Sequence, residues 1–448
     1  MARFRFPHSL TLLVGCVFLA ALLTYILPAG EFQRHEDPAT GRTVVTAGTY
    51  ARVEARPVGP FETLIAIPKG ITDAASVVVL IFLVGGAFAV VERAGTLGRL
   101  VEWLVERLAH REALVIPIAS VVFALGGITE HMSEELIAFV PALLLLSRRL
   151  GYTPLTIVAI ALGSSAIGFT FGPVDPFSVL IAQRLAQLKP GSGLAFRVAF
   201  LIPALAIWIW GTMRYAARTR TKPPAENTAT NASRLQPRDV VIVIAIVAAL
   251  AVYIYGAQRL DWEFDQLSAL LFAVGVLAGL LGRLGVDGTA EAFVDGFKSM
   301  AYAGLLVGFA RAIFVVLNEG RIVDTIVNGL FAPIAGLPPA ISAIGMMVAH
   351  IAIHFPVPSS SGQAVLTLPL LVPLSDLIGL SRQVTVLAYQ YGSGLSDLLT
   401  PTNGSLMAML AAAGVRFEDW LRFVLPLWLI LGAFGAVTIG AAVALGLH

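Results

Sequence analysis

The residues that could do chemistry sit in four short polar stretches of a chain that is otherwise apolar. Two lie in the first half, Thr129-Glu130-His131-Met132-Ser133-Glu134-Glu135 and Gly172-Pro173-Val174-Asp175-Pro176. Two lie in the second, Pro358-Ser359-Ser360-Ser361-Gly362-Gln363 and Thr400-Pro401-Thr402-Asn403-Gly404-Ser405, with Asp397 just before the latter. A charged side chain at the centre of a bilayer costs about 2.5–3.5 kcal/mol even on the lenient insertion scale. Glu130, Glu134 and Glu135 therefore need water, partners or a task, and intramembrane ionisable groups usually mark a pathway or site. The plainer reading is a shallow tip with solvated acids.

Asp175, Asp397 and Asn403 are candidates for holding a coupling cation, although Asp or Asn beside Pro is also ordinary capping chemistry. Ser359, Ser360 and Ser361 open a helix. Their hydroxyls and free N–H groups suit an anion or a substrate carboxylate, or serve simply as an N-cap. Thr400, Thr402 and Ser405 play the same part in the other stretch, and Thr129 and Gln363 complete the polar set. Carbonyls exposed where the half-helices end suit Na⁺.

Three further features carry weaker signals. Arg311 stands in the apolar run Leu305–Val316, where it cannot lose its proton and is expected to face the bundle interior as counter-ion to an acid or a substrate carboxylate. His350 and His354 share a helix face, but the stretch lacks the Glu of a zinc-hydrolase motif and a third ligand, so no metal or other cofactor is expected. A hydrolase using Ser359–Ser361 with His354 is the reading from another class. It lacks an oriented third member, and the chain is read as no enzyme.

The elements that position these residues follow from composition and spacing. Of 448 residues, 57% are hydrophobic and 13% charged, with a mean hydropathy of +0.84. Apolar segments of about 20 residues, the length that crosses hydrocarbon, recur from end to end. The net charge of +2 is spread over helix ends, which argues against a nucleic-acid partner and for the lipid bilayer. Cys16 is the single cysteine, which excludes an intramolecular disulfide.

Spans are predicted at Ser9–Leu27, Thr72–Val91, Phe196–Ala216, Val240–Tyr255, Leu267–Leu281 and Trp420–Leu445, with a long helix over Glu291–Val316. A small hairpin is expected within Glu31–Glu62, and interfacial helices at Thr96–His110 and Ile322–Ile334. Ala113–Leu125 and Leu136–Leu146 are too short to cross alone, so they read as a helical hairpin around a break at Gly126–Glu135. Pro338–His354 and Ala364–Leu377 form a second hairpin. Pro154–Gln187 and Arg382–Ala413 read as helices broken at mid-length.

Moving the second half back by 228 positions lays Pro369 on Pro141, Ser375 on Ser147, Gly379 on Gly151 and Pro401 on Pro173. Over Phe139–Ser178 eight of forty positions are identical, and the polar stretches coincide. Paired interruptions in two halves point to a transporter site between structural repeats. With the N-terminus inside, 18 Lys and Arg fall on the cytoplasmic side and 11 outside, as the positive-inside rule favours. Five crossings then separate the hairpins, the odd number that inverted repeats require. The expected fold is an all-α polytopic membrane protein of two inverted-topology repeats, 1–216 and 238–448, joined by a cytoplasmic linker at 217–237.

The stretch His354-Phe355-Pro356-Val357-Pro358-Ser359-Ser360-Ser361-Gly362-Gln363, the pair Arg382-Gln383, the run Pro401-Thr402-Asn403-Gly404-Ser405-Leu406-Met407-Ala408 and Trp420 resemble the YfcC family. That family is part of the DcuC-like C4-dicarboxylate carrier group. Leu27-Pro28-Ala29-Gly30-Glu31-Phe32, Glu134-Glu135 and Asp175-Pro176-Phe177-Ser178 are similar too. The resemblance implies an inner-membrane secondary transporter, a homodimer whose hairpin-bearing domain moves elevator-fashion against a scaffold. It implies carboxylate or amino-acid substrates, with Na⁺ or H⁺ coupling or exchange. Asn is commoner in the family at the positions of Asp175 and Asp397, and Asp at that of Ser393, which bears on substrate and ion. Five acids against Arg311 and three histidines would repel a dicarboxylate unless neutralised, and would suit a cationic or zwitterionic amino acid.

Overall fold

The computed structural model describes residues 8–37, 42–100, 103, 114–221, 235–260 and 262–447. In chain order the helices are α1 Ser9–Ile26, α2 Pro60–Asp73, α3 Ala75–Arg93, α4 Val115–Glu130, α5 Val140–Leu150 and α6 Pro154–Phe171. They continue with α7 Ile181–Leu185, α8 Leu194–Thr219, α9 Pro237–Arg259, α10 Phe264–Leu281, α11 Gly285–Glu319 and α12 Val323–Phe331. The last five are α13 Pro339–Ile353, α14 Ser360–Leu377, α15 Arg382–Ser396, α16 Gly404–Ala412 and α17 Phe417–Ala444. Seven helices among the described residues are long and apolar enough to cross a membrane.

The two hairpins are α4–α5 and α13–α14, and each is followed by a broken helix, α6–α7 and α15–α16. The turns that join hairpin to broken helix are built alike. Gly151 (φ 73°) and Gly379 (φ 69°) take the left-handed conformation in which glycine has no steric penalty. At both, the N–H of the residue after the glycine closes on a serine carbonyl: Tyr152 N to Ser147 O at 2.9 Å, and Leu380 N to Ser375 O at 2.8 Å. These are residues that the 228-residue offset superimposes. The next helices are capped by Thr153 and Ser381, and the helical segments after the breaks by the side chains of Asp175 and Asn403.

Each hairpin's first arm lies against the first part of its own broken helix, and glycine makes the approach possible. A Cβ at Gly127 would fall 2.1 Å from Ser165 O, and one at Gly392 2.3 Å from Met347 O. The broken helices also meet each other, with Gly394 seated on Thr170. Around them, α11 packs on α2 and α3 through Gly308 against Ile71 and Gly296 against Gly85 and Gly86.

A broken helix leaves backbone carbonyls without intrahelical partners. In the first, Phe169 O and Gly172 O both accept from Gln390 Nε2, at 2.9 and 2.8 Å. Arg197 of α8, fully buried, donates to Gln390 Oε1 and, at 3.1 Å, to Gln383 Oε1. In the second, Trp428 Nε1 donates to Leu395 O and Trp420 Nε1 to Leu398 O. Four of the carbonyls at these ends thus already accept a side-chain hydrogen bond, from the opposite half or from α17.

Several boundaries differ from the sequence reading. The break at Gly126–Glu135 is shorter, since α4 runs through Glu130 and a 3-10 turn begins at Glu135. The expected second span is α3, and a separate helix, α2, precedes it, parted from it at Ala74. The expected hairpin is present as β2 Arg34–Asp37 against β3 Arg42–Val45, with β1 Gly30–Glu31 on β4 Ala51–Arg52. Asp324 of α12 is buried and accepts Phe32 N at 2.8 Å and an ion pair from Arg34. Of the amphipathic stretch Thr96–His110, residues 96–100 are helical and the remainder, apart from Trp103, lies outside the described residues. So does 222–234 of the linker, the start of which belongs to α8.

Replacing Gly127 by Val is expected to part α4 from α6, lowering the melting temperature of the detergent-solubilised protein and abolishing substrate-induced stabilisation. Arg197→Met strands the buried Gln390 Oε1 at about 1–3 kcal/mol and leaves Gln383 Oε1 with only the 3.5 Å contact from Gln183. A melting point depressed by several degrees in a thermal-shift assay is the expected outcome.

Candidate functional site

The two breaks and the two hairpin tips meet at one cavity of about 370 Å³, within the range of small-molecule sites. Its first wall is the tip of α4–α5. Here α4 ends on His131, whose left-handed backbone (φ 53°) costs a non-glycine residue about 1–2 kcal/mol. The side chain is fixed on both sides: the ring stacks on Phe169, centroids 3.9 Å apart, and Nδ1 lies 2.6 Å from Asp175 Oδ2. Asp175 is fully buried and also accepts from Phe177 N–H at 3.0 Å and from the Ser178 hydroxyl. Toward a carboxylate, which only accepts, the tautomer that fits the His131 contact carries the proton on Nδ1. Glu130, Glu134 and Glu135 line the same wall. Glu135 Oε2 accepts Ser133 N–H at 3.0 Å, and its other oxygen lies 3.5 Å from the Tyr253 hydroxyl of α9.

The second wall is the other half. Ser359 caps α14 through Gly362 N–H at 3.2 Å, Ser360 shares a hydrogen bond with Ser393 at 2.7 Å, and Ser361 lines the cavity beside them. Asn403 takes Leu406 N–H at 3.0 Å and the Ser405 hydroxyl at 2.7 Å on its Oδ1, while its amide donates to Asp397. The Ser133 hydroxyl donates to Ser405 Oγ at 2.9 Å, so one hydrogen bond joins the first tip to the second break. Trp262, Glu263 and Phe264, at the α9–α10 turn, close a third side.

Of the residues expected at the site, Glu130, Glu134, Glu135, Ser359, Ser360, Ser361, Asp397, Asn403 and Ser405 all line this cavity. Asp175 stands one bond behind it, through His131. Gln363 is buried behind the second tip, its amide on His354 Nδ1 (2.8 Å) and Val357 O (3.0 Å). Thr400 bonds back to Ser396 O and Thr402 to Phe355 O, both turned into backbone. Thr129 is exposed and bonds to Leu125 O.

Arg311 requires a correction. Its side chain is 39% exposed, pairs with Asp73 and covers the Phe314 ring, in a cleft with Lys69 and Glu319 away from the cavity. A carboxylate one helix away, on α2, satisfies it where the sequence offered no visible partner. The buried arginine is instead Arg197, which the sequence places at a helix start and hence apparently at the surface.

The serine–histidine pairing of the hydrolase reading does not form. His354 Nδ1 engages Gln363, and Nε2 lies 2.9 Å from Asp397 Oδ1, off the line of a hydrogen bond. His350 bonds Met346 O and Thr367. The sequence reading missed Tyr253, Trp262 and Phe264 because none stands in a helix break or a hairpin tip; an aromatic cluster at a helix turn is the only signal they carry.

The model of the DcuC family, described as a C4-dicarboxylate anaerobic carrier, matches residues 6–444. YfcC of Escherichia coli (strain K12), whose name proposes basic amino acid antiport, is 31% identical over 100% of this chain and 98% of its own. YuiF of Bacillus subtilis (strain 168), provisionally named an amino acid transporter, is 24% identical over 81% of this chain and 86% of its own. The solved YdaH transporter of Alcanivorax borkumensis overlays at 19% identity with a TM-score of 0.45, covering 98% of this chain and 99% of that one. The chain is a multi-pass membrane protein belonging to the DcuC family of carriers.

Proposed function

We propose that this carrier moves a cationic amino acid, such as arginine, lysine or ornithine, in exchange or with a coupling cation. The observation that carries the reading is the charge of the cavity. Glu130, Glu134, Glu135, Glu263 and Asp397 line it, and among the described residues no lysine or arginine does. A dicarboxylate would add two negative charges to that set, at distances where charge–charge energies reach about 4 kcal/mol per pair at an effective dielectric of 20. A substrate with a net positive charge gains what the dicarboxylate loses. Its carboxylate fits the Ser359–Ser361 end of α14, its amine the Asp397–Asn403 side, and its distal cation the glutamates. Tyr253, Trp262 and Phe264 supply aromatic faces for that cation. The name of the E. coli relative, with its basic amino acids, supports this choice; the description of the family favours dicarboxylates.

The mechanism that fits is alternating access by an elevator movement. Both hairpins and both broken helices are tied together by Ser133–Ser405 and by Gln390, and would travel as one body past α9 and α10. The halves then act as inverted repeats, in a homodimer in a bacterial cytoplasmic membrane with the N-terminus inside.

Thermal-shift screening of the purified protein with Na⁺ and K⁺ in turn should show stabilisation by arginine, lysine or ornithine. A ligand at 100 times its Kd adds about 2.7 kcal/mol. A response to succinate or fumarate alone would refute the substrate class. Glu134→Gln and Asp397→Asn should each weaken binding by roughly 10–100-fold, the loss of one charge-assisted hydrogen bond. Asp175→Ala and Asn403→Ala should abolish uptake in proteoliposomes without loss of expression; unchanged transport in both would count against the site.

A further inference from the structure

We infer that His131 is the site of the coupling ion and that this ion is a proton, which leaves His131 when the cationic substrate enters the cavity. The inference rests on the cationic-substrate reading above and names the ion that reading leaves open.

The argument begins with how the imidazole is held. Asp175 is invested by Phe177 N–H, the Ser178 hydroxyl and His131 Nδ1. Those contacts fix Nδ1 as a donor in every charge state and leave Nε2 as the nitrogen that gains or loses a proton. Stacking on Phe169 and the edge of Phe177 keep the ring in place while that happens. The side chain is 16% exposed, and it lines the cavity that Asp175, fully buried, does not reach.

The carboxylates that share the cavity or contact the ring come from four elements: Glu130 and Glu134 of its own tip with Glu135 beyond them, Asp175 of the first break, Asp397 of the second, and Glu263 of the α9–α10 turn. This set of carboxylates is large for one imidazolium and for one substrate cation, and both would draw on it. With the cavity empty, the proton on Nε2 supplies positive charge. When an ammonium or guanidinium group arrives, two cations stand in one cluster, and the proton departs to water as the substrate settles. Release of the substrate on the other side restores it. Transport is then antiport, one proton against one cationic substrate, with no bond made or broken except N–H.

His354 is not the same device, although it too stands beside an aspartate. It is fully buried, Gln363 holds its Nδ1, and its Nε2 contact with Asp397 is misaligned.

The test is calorimetry of lysine or arginine binding to the purified protein in buffers of different ionisation enthalpy, for wild type and His131→Asn. Asparagine keeps an amide where Nδ1 donates to Asp175 and has nothing in place of Nε2. Wild type is expected to release about one proton per substrate, with Kd falling about tenfold per pH unit where His131 is charged. His131→Asn is expected to bind with altered affinity, to release no proton and to lose that slope. Binding by wild type without proton release overturns the inference, and so does undiminished release from the variant, which would assign the proton to a glutamate. If the variant does not bind, histidine ¹⁵N spectra of wild type with and without saturating lysine decide: a His131 ring that keeps both N–H protons when lysine is bound overturns the inference. If no amino acid binds wild type, the substrate reading fails separately. Histidine ¹⁵N spectra of the ligand-free protein then decide the proton site: a His131 signal, assigned by its loss in the variant, that stays neutral down to about pH 5 overturns it.

Discussion

A helix that stops inside a hydrophobic slab exposes N–H and C=O groups that no solvent satisfies, and each such group costs several kcal/mol. The architecture of this carrier follows from having two such stops and having to satisfy both. Gln390 reaches from the second broken helix to close the carbonyls of the first, and Arg197 holds Gln390. Asp175 and Asn403, equivalent across the 228-residue offset, cap the segments that restart. The first break is therefore completed by the second half and the second by α17, and neither broken helix is a finished unit alone.

The same breaks create the cavity. Where backbone leaves the helix, side chains that would be buried in a continuous span turn to one another instead. The tips bring glutamates and serines to the gap between them. The density of acid there, rather than any single contact, sets what the cavity favours. Such a cluster survives in a low-dielectric interior only with cations, donors or water among the carboxylates. His131, Ser133, Asn403 and the Tyr253 hydroxyl supply part of that.

Much of this was legible in the sequence, because helix breaks in membrane segments are written in Pro, Gly, Ser and Asn, and because the chain says it twice. Gly151 and Gly379 share one turn geometry, as their alignment implied, and nine of the expected polar residues face one cavity. What the sequence hid depends on distance across the fold. Thr400 and Thr129 looked like site residues and bond to carbonyls one turn back, and Thr402 to Phe355 O of the second hairpin, since a hydroxyl's partner is not fixed by its neighbours in the chain. Arg311 found Asp73 on another helix. Tyr253, on α9, and Trp262, in the α9–α10 turn, stand outside the paired breaks and tips, so their duplication could not point to them.

Arg197 has a consequence beyond packing. Its guanidinium is held by amide oxygens and not by a carboxylate, so it is a fixed positive charge within the bundle. If the bundle shifts across the bilayer, that charge shifts in the transmembrane field. Voltage does about 2.3 kcal/mol of work on each elementary charge carried through 100 mV. An empty carrier would then feel the membrane potential through its own protein, and its preferred resting side would depend on the cell's energisation as well as on its cargo.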